Sequence, residues 1–198
     1  MSLKPNQYTV LAFDPGGTTG WAHLQINAKA FSRPEAKVLR WLELWDCGEL
    51  SGPEHDQMTQ AASKLWNVHG PLPYNCIVDV ISEDFELTQL IGSSENLLSP
   101  VRFNAVLKWQ CLNQGLPFTL QRRSARTATT KERLRLFGFE GTFRKDEFSA
   151  MQHAIAWLRK IKEQSKAKPW KLADNQAHNT HWDCACAKGK RCNLIHPQ

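Results

Sequence analysis

The sequence lacks the long apolar segments and the leader pattern that direct a chain into or across a membrane. No apolar run approaches the roughly 18 residues that a membrane-spanning helix needs. Residues 1–7 contain no apolar stretch followed by a small-residue cleavage site, so we expect no secretion. We therefore expect a cytoplasmic protein, located in the host cytoplasm if the chain comes from a phage, and no membrane partner.

A compact disulfide framework is also missing, although the chain has six cysteines. Cys47, Cys76 and Cys111 are spread over apolar segments, where we expect them to fill the core. This distribution favours reduced thiols in a cytosol-like compartment. No internal repeat is visible, so a repeat architecture is not expected.

The chain has 198 residues, of which 41% are hydrophobic and 22% are charged. This balance is typical of one globular domain with an additional tail. Residues 1–99 contain 6 Lys and Arg against 12 Asp and Glu, whereas residues 100–198 contain 19 against 7. An acidic half suits a cation and a basic half suits a polyanion, although solvated surface charge would give the same counts.

Apolar periodicity predicts an α/β fold, a five-stranded mixed sheet flanked by helices in the order β-β-β-α-β-α-β-α. The predicted strands are residues 8–13, 20–26, 38–50, 76–82 and 117–121. The predicted helices are residues 54–69, one starting at Ser99-Pro100, a short one from Thr129 to Phe137, and a long one over 146–162. We expect residues 1–163 to form the domain and residues 164–198 a basic, Cys- and His-rich tail.

Three acidic residues fall at the ends of predicted elements. Asp14 closes the first strand, Glu83 the fourth, and Asp146 begins the long helix. If the first and fourth strands are adjacent, the first two carboxylates lie side by side and the helix can bring in the third. Three carboxylates so close repel one another, and this cost is tolerated mainly when divalent cations neutralise the charge. Oxygen ligands select Mg²⁺ or Mn²⁺, and we expect two such ions here. Each acid alone is also explained as a turn residue, a strand end or a helix cap.

Three motifs together resemble those of the RuvC branch of the ribonuclease H-like nucleases. They are Phe-Asp-Pro-Gly-Gly-Thr-Thr-Gly-Trp at 13–21, Ile-Ser-Glu-Asp-Phe at 81–85 and Asp-Glu-Phe-Ser-Ala-Met-Gln-His-Ala at 146–154. The sequence is most similar to the RuvC-like resolvases of bacteriophages, over roughly residues 8–160. The resemblance implies a ribonuclease H-like fold and a metal site at Asp14 and Glu83. It also implies a homodimer that cuts branched DNA, typically a Holliday junction, in recombination and repair.

The third motif departs from the family pattern, in which an Asp directly precedes the Ala. Here Ser149 takes that position, so Asp146, one turn earlier, is expected to be the working carboxylate. His153 follows two turns after Asp146 on the same helix face and is a candidate to hydrogen bond phosphate or water; a purely structural role is the alternative. Glu147 and Asp84 are reserve metal ligands.

Two other functions are compatible with parts of these patterns. The first motif also resembles the phosphate-binding hairpin of sugar kinases and actin-like ATPases. Those proteins need two related domains with a second phosphate loop, and this chain is too short and has no second copy.

Ser149 leaves open a non-cleaving accessory protein of recombination, which would bind branched DNA with a degraded metal site.

A basic segment, residues 121–135, contains six cations and one acid and precedes the long helix. Its small and hydroxyl side chains suit contacts with phosphates, and a solvated helix face is the alternative. The residues predicted to contact DNA are Arg122, Arg123, Arg126, Lys131, Arg133, Arg135, Arg144 and Lys145.

The tail concentrates soft metal ligands. Its candidate ligands for a tetrahedral Zn²⁺ are His181, Cys184, Cys186, Cys192 and His196. The spacing Cys-x-Cys-x5-Cys is not that of a standard zinc finger. Reduced free thiols and a disulfide therefore remain as alternatives.

Overall fold

The computed structural model describes residues 7–27, 42–69, 77–85, 95–136, 139 and 143–167. Three parts of the sequence predictions lie outside these residues: the tail with its five candidate zinc ligands, the start of the predicted third strand, and residues 86–94. Cys76 lies outside them as well. None of the described helices is long and apolar enough to cross a bilayer.

The described residues contain five strands, four α-helices and one 3₁₀ helix. In chain order they are β1 (Gln7–Asp14), β2 (Thr19–Asn27), β3 (Leu42–Leu50), α1 (Glu54–His69), β4 (Ile77–Asp84), α2 (Glu95–Asn113), β5 (Phe118–Arg122), the 3₁₀ helix (Arg123–Ala128), α3 (Lys131–Leu136) and α4 (Lys145–Ala167).

The strands form one mixed sheet with the order β3-β2-β1-β4-β5. β2 runs antiparallel to both β1 and β3, whereas β4 runs parallel to β1 and β5 parallel to β4. The predicted five-stranded mixed sheet flanked by helices is confirmed. Because β1, β4 and β5 are parallel, their carboxyl ends meet at one edge of the sheet.

The central strand β1 is buried on both faces, as its continuous apolar sequence predicts. Val10 and Ala12 pack with the apolar face of α4, which includes Met151. Leu11 and Phe13 point to the other side and belong to a second core, built with α1 and α2. The fully buried Cys111 lies in this second core, as predicted. The two cores fix the sheet between α4 on one face and the α1–α2 layer on the other.

Several element boundaries differ from those predicted. α2 begins at Glu95, so Ser99 is not its N-cap and Pro100 lies inside the helix. Pro100 is the sixth residue of the helix, where its missing N–H removes one intrahelical hydrogen bond. α3 begins at Lys131, two residues after its predicted start at Thr129, and α4 extends to Ala167, past its predicted end near Lys162. The 3₁₀ helix after β5 was not predicted at all.

Candidate metal centre

Three adjacent strands deliver polar side chains to the same edge of the sheet. Asp14 is the last residue of β1. It follows Phe13, which is paired with Ser82 of β4. Glu83 follows Ser82 and is paired with Gln121 of β5. The parallel register therefore places Asp14, Glu83 and Gln121 in a row, although they lie far apart in sequence.

A histidine from α4 completes a compact cluster at this edge. One ligand atom each of Asp14, Glu83 and His153 lies within 4.8 Å of the other two. Nε2 of His153 is 2.8 Å from Oε2 of Glu83, and Nδ1 is 2.6 Å from Oε1 of Gln121. The His153 ring is completely buried. With both ring nitrogens at hydrogen-bond distance from a partner, the ring is held in one orientation against Glu83.

Two residues of this site were missed by the sequence analysis. Gln121 was predicted only as the end of the fifth strand and the start of the basic segment, and its place in the site follows from its pairing with Glu83 in the sheet. Asn104 of α2 donates a hydrogen bond from Nδ2 to the backbone carbonyl of Glu83 at 2.9 Å. A polar residue on the buried face of a helix, beside Phe103 and Leu107, is the signal that could have identified it.

The two carboxyl groups ionise very differently. Burial and, next, the negative charge of Glu83 raise the pKa of Asp14 to about 7, against smaller opposing effects of Arg126 and the Ser149 hydroxyl. Burial also opposes the ionisation of Glu83, but the hydrogen bond from His153 and the charge of Arg126 outweigh it and lower the pKa of Glu83. Glu83 is thus ionised near neutral pH while Asp14 is partly protonated. The positive charge around the pair is too small to offset the free-energy cost of two buried negative charges.

Arg126, one of the residues predicted to contact DNA, points into this pair. Its Nη1 donates to Oε2 of Glu83 at 2.9 Å and lies 3.5 Å from Oδ2 of Asp14. Its side chain is only 17% exposed, whereas Arg123, on the same 3₁₀ helix, is 76% exposed and lies 4.0 Å from Glu83. The basic segment therefore contributes one cation to the interior of the site.

The first turn of α4 lies against β2, above the end of β1. Gly20 is paired with Asp14, and a Cβ added to Gly20 would collide with the backbone carbonyl of Asp146. The Asp146 carboxylate is not one of the three clustered ligands. Burial and the neighbouring Glu49 raise its pKa, while Arg126 and Lys145 act in the opposite direction. The structure places Asp146 beside the cluster, and the α4 hydroxyl that hydrogen bonds Asp14 belongs to Ser149.

The structure brings neither reserve ligand into the cluster. Oε2 of Glu147 accepts a hydrogen bond from the backbone N–H of Arg144 at 2.9 Å, which caps the start of α4. Asp84 lines a shallow groove with Phe85 and Lys108. Glu147 thus serves the helix terminus, and Asp84 faces away from the cluster of ligands.

Most of the other predicted DNA contacts are exposed. Arg122 ends β5 at the edge that carries the cluster, and Lys145 begins α4 there. Arg144 is 73% exposed and donates to Glu49 at 2.9 Å. Lys131 is exposed as well, while the side chains of Arg133 and Arg135 lie outside the described part of the chain.

The donor set fits a divalent cation. Asp14 and Glu83 provide two carboxylates and His153 an imidazole, and these are ligand types that divalent metals take. The raised pKa of Asp14 shows that negative charge there is only partly compensated by the protein. A cation bound between these groups would offset the cost of burying the two carboxylates and the repulsion between them.

No protein-family model matches the sequence, and no curated protein matches it. Among solved structures, the chain is similar to Thermus thermophilus RuvC in complex with Holliday junction substrate, with 16% identity and a TM-score of 0.48, over 75% of this chain and 91% of that one. A second structure of Thermus thermophilus RuvC gives 14% identity and a TM-score of 0.47, over 75% of this chain and 92% of the other. Both similarities concern the fold.

Proposed function

We propose that this protein is a nuclease that uses Mg²⁺ or Mn²⁺ to hydrolyse phosphodiester bonds in branched DNA, in the manner of a Holliday junction resolvase. One observation carries the proposal: Asp14, Glu83 and His153 converge within 4.8 Å at a sheet edge that also bears exposed cations. The resemblance of the three sequence motifs to RuvC-like nucleases supports branched DNA as the substrate.

Each residue of the cluster has a chemical role in this proposal. Asp14 and Glu83 hold the metal, which when bound would supply an activated water and neutralise the charge that develops on the leaving oxygen. His153 positions Glu83, because its other nitrogen is held by Gln121. The Asp146 carboxylate lies outside the cluster and would act from the first turn of α4 only through its charge.

The phosphate backbone would be bound by the exposed cations around this edge. Arg122, Arg123, Arg144 and Lys145 flank the cluster from β5, the 3₁₀ helix and the start of α4. Positively charged side chains that contact phosphates supply most of the affinity for nucleic acid and fix its position without reading the sequence. This arrangement would hold the scissile phosphate over the carboxylates.

The direct test is to incubate the protein with a labelled four-way junction in Mg²⁺ or Mn²⁺. We expect cleavage by the wild type and none by Asp14→Asn, which removes a metal ligand without changing the size of the side chain. Asp56→Asn is the matched control, because Asp56 is an exposed residue of α1. Equal cleavage by wild type and Asp14→Asn would refute the proposed mechanism.

The branched substrate and the oligomeric state need separate measurements. Cleavage products on a junction, a flap, a fork and an RNA–DNA hybrid would identify the preferred substrate. Resolution of a four-way junction requires two symmetric cuts, so we propose that a homodimer acts on it. Light scattering of the protein with an uncleaved junction tests this, and one chain per junction would contradict it.

Ser149 and Arg126 support a second candidate, a protein that binds branched DNA without cutting it. Ser149 provides a neutral hydroxyl to Asp14 where the family pattern has a carboxylate, and Arg126 already neutralises part of the pair. Tight, salt-sensitive junction binding with no cleavage in either metal would favour this function. Cleavage that depends on Asp14 would exclude it.

A further inference from the structure

Arg126 lies between the two carboxylates of the site. Its Nη1 lies 2.9 Å from Glu83 and 3.5 Å from Asp14, so one guanidinium nitrogen contacts both acids. Its side chain is 17% exposed, in contrast to the 76% of Arg123 three residues earlier. This contrast separates Arg126 from the solvent-facing cations of the basic segment.

The backbone around Arg126 is fixed to α4. Its carbonyl accepts a hydrogen bond from the N–H of Thr129 at 3.0 Å. The carbonyl of Thr129 in turn accepts a hydrogen bond from the side-chain amide of Gln152, which is buried in α4 next to His153. The 3₁₀ helix is therefore anchored to the same helix that carries His153, and the guanidinium is directed into the carboxylate pair as part of the fold.

The charges in direct contact with one another at the site suit one divalent ion. Asp14 and Glu83 carry at most two negative charges, and Arg126 contributes one positive charge in direct contact with them. Ser149 is neutral, and the carboxylates of Asp146 and Glu147 lie outside the cluster. One divalent ion would leave the group with a single positive charge, whereas two would leave three positive charges in a mostly buried space, where like charges repel strongly.

We propose that Arg126 takes the place of a second metal ion, so that the site binds one divalent cation and uses the guanidinium as its other positive charge. This inference rests on the proposed nuclease function, and it replaces the two ions expected from the sequence. A guanidinium presents several N–H donors in a plane and suits a phosphate oxygen. Arg126 would thus contact the substrate phosphate while Asp14 and Glu83 hold the single ion.

Mn²⁺ binding measured by calorimetry on the full chain without DNA tests the inference. We expect one ion per wild-type chain. In Arg126→Gln the repulsion between guanidinium and metal is absent, so we expect Mn²⁺ to bind about tenfold more tightly or more. Arg126→Lys retains the charge and should bind Mn²⁺ with an affinity close to that of the wild type. Lys160→Gln, on the exposed face of α4 over the ring of Trp157, is the control, and its Mn²⁺ affinity should be unchanged within about twofold.

Thermal unfolding provides a second readout that does not depend on activity. We expect the metal-free Arg126→Gln variant to melt at a lower temperature than the wild type, since two buried acids lose their counter-charge. Added Mn²⁺ should raise its midpoint by more than it raises that of the wild type. A residue with only a structural role would lower the midpoint with and without Mn²⁺ by the same amount, and that result would overturn the inference.

Cleavage separates this inference from the proposed function. Arg126→Gln should lose junction cleavage while it binds Mn²⁺ more tightly, and Arg126→Lys should recover part of the activity. A wild-type chain that cuts junctions and binds two Mn²⁺ ions would refute the role of Arg126 and leave the nuclease function intact. One bound ion and the tighter Arg126→Gln variant, without any cleavage, would uphold the role of Arg126 and refute the nuclease.

Discussion

Gly20 and Asp146 are in direct backbone contact where α4 begins. No side chain fits between them, because a Cβ on Gly20 would collide with the carbonyl of Asp146 and would lie 2.9 Å from the backbone nitrogen of Glu147. Gly20 is also the residue paired with Asp14 across the β1–β2 ladder. The absence of a side chain at residue 20 thus sets how closely α4 approaches the carboxylate edge.

Gly20→Ala should therefore displace the start of α4. We expect the free energy of unfolding to fall by about 1–3 kcal/mol, as for other substitutions that overfill a packed region. Ser149 and His153 would move with the helix, so metal binding should weaken too. Denaturant unfolding and Mn²⁺ calorimetry measure the two effects.

Gly17→Ala is the matched control for this substitution. A Cβ there would have nothing within 4 Å, so we expect a change in stability within about 0.5 kcal/mol. Equal stability of Gly20→Ala and Gly17→Ala would contradict the close contact between α4 and Gly20.

The pKa of Asp14 predicts how the metal-free protein responds to pH. In the unfolded chain Asp14 ionises near its ordinary pKa of 3.8, whereas in the folded protein it keeps its proton up to about pH 7. Between these values the folded state binds more protons than the unfolded state, so the contribution of Asp14 to the free energy of unfolding falls as the pH rises. Asp14→Asn has no carboxyl group at this position, so its free energy of unfolding does not fall in this way.

We therefore expect metal-free Asp14→Asn to be more stable than the wild type above pH 7, by about 1 kcal/mol or more. The difference should shrink as the pH falls towards 4, where Asp14 is protonated in both states. Urea unfolding with a chelator present, repeated over this pH range, measures it. A difference that does not change with pH would show that Asp14 has an ordinary pKa in the folded protein.

The hydrogen bond between His153 and Gln121 predicts energetic coupling between the two residues. Each is buried, so removal of either partner leaves a polar group unsatisfied. We expect His153→Ala and Gln121→Ala each to cost about 1–3 kcal/mol of stability. In the double variant, the two effects should differ from additivity by about 0.5–3 kcal/mol.

A control pair uses a residue that does not touch this network. Thr59 is exposed on α1, and its hydroxyl donates only to the backbone of its own helix at His55. The effects of Thr59→Ala and His153→Ala should add within about 0.5 kcal/mol. Equal coupling in both pairs would mean that the bond to Gln121 contributes nothing specific.

Binding of a junction should depend steeply on salt. Each phosphate that the protein neutralises contributes about one unit to the slope of log affinity against log salt concentration. Arg123→Gln, at the cluster edge, should reduce this slope by about one unit. Fluorescence anisotropy at several salt concentrations measures it.

Lys160→Gln is the control for the salt experiment. Lys160 lies over the ring of Trp157, whose indole N–H donates to Tyr8 near the start of β1, at the opposite edge of the sheet from the cluster. This substitution should leave the salt slope unchanged. A slope that falls equally in both variants would show that DNA binds over the whole surface and not at the cluster.

The carboxylates on strands were predictable because each follows an apolar run. A buried strand must end where the chain meets solvent, so Asp14 and Glu83 identified the carboxyl ends of β1 and β4 from the sequence. That these strands are neighbours was only a condition of the sequence prediction, and the parallel pairing of β1 with β4 meets it. Most strand and helix positions were predictable for the same reason, since burial imposes a regular apolar pattern.

Helical periodicity did not determine which residues of α4 reach the cluster. Asp146 and His153 are seven residues apart and share a helix face, but seven residues extend over about 10 Å along the axis. They cannot both contact one compact cluster, and periodicity does not say which turn crosses the sheet edge. The contact at Gly20 decides this, and it places Ser149 and His153 over the carboxylates while Asp146 lies beside them.

The sequence by itself determined the order of elements, the two acids at strand ends and the concentration of positive charge after β5. These properties follow from local patterns of polarity along the chain. Only the tertiary structure decided that Gln121 and His153 join Glu83, and that Arg126 turns inward while Arg123 faces solvent. The reason is physical: hydrogen bonds and ion pairs between distant residues depend on strand register and helix position, and several sheet and helix packings are compatible with the same local pattern.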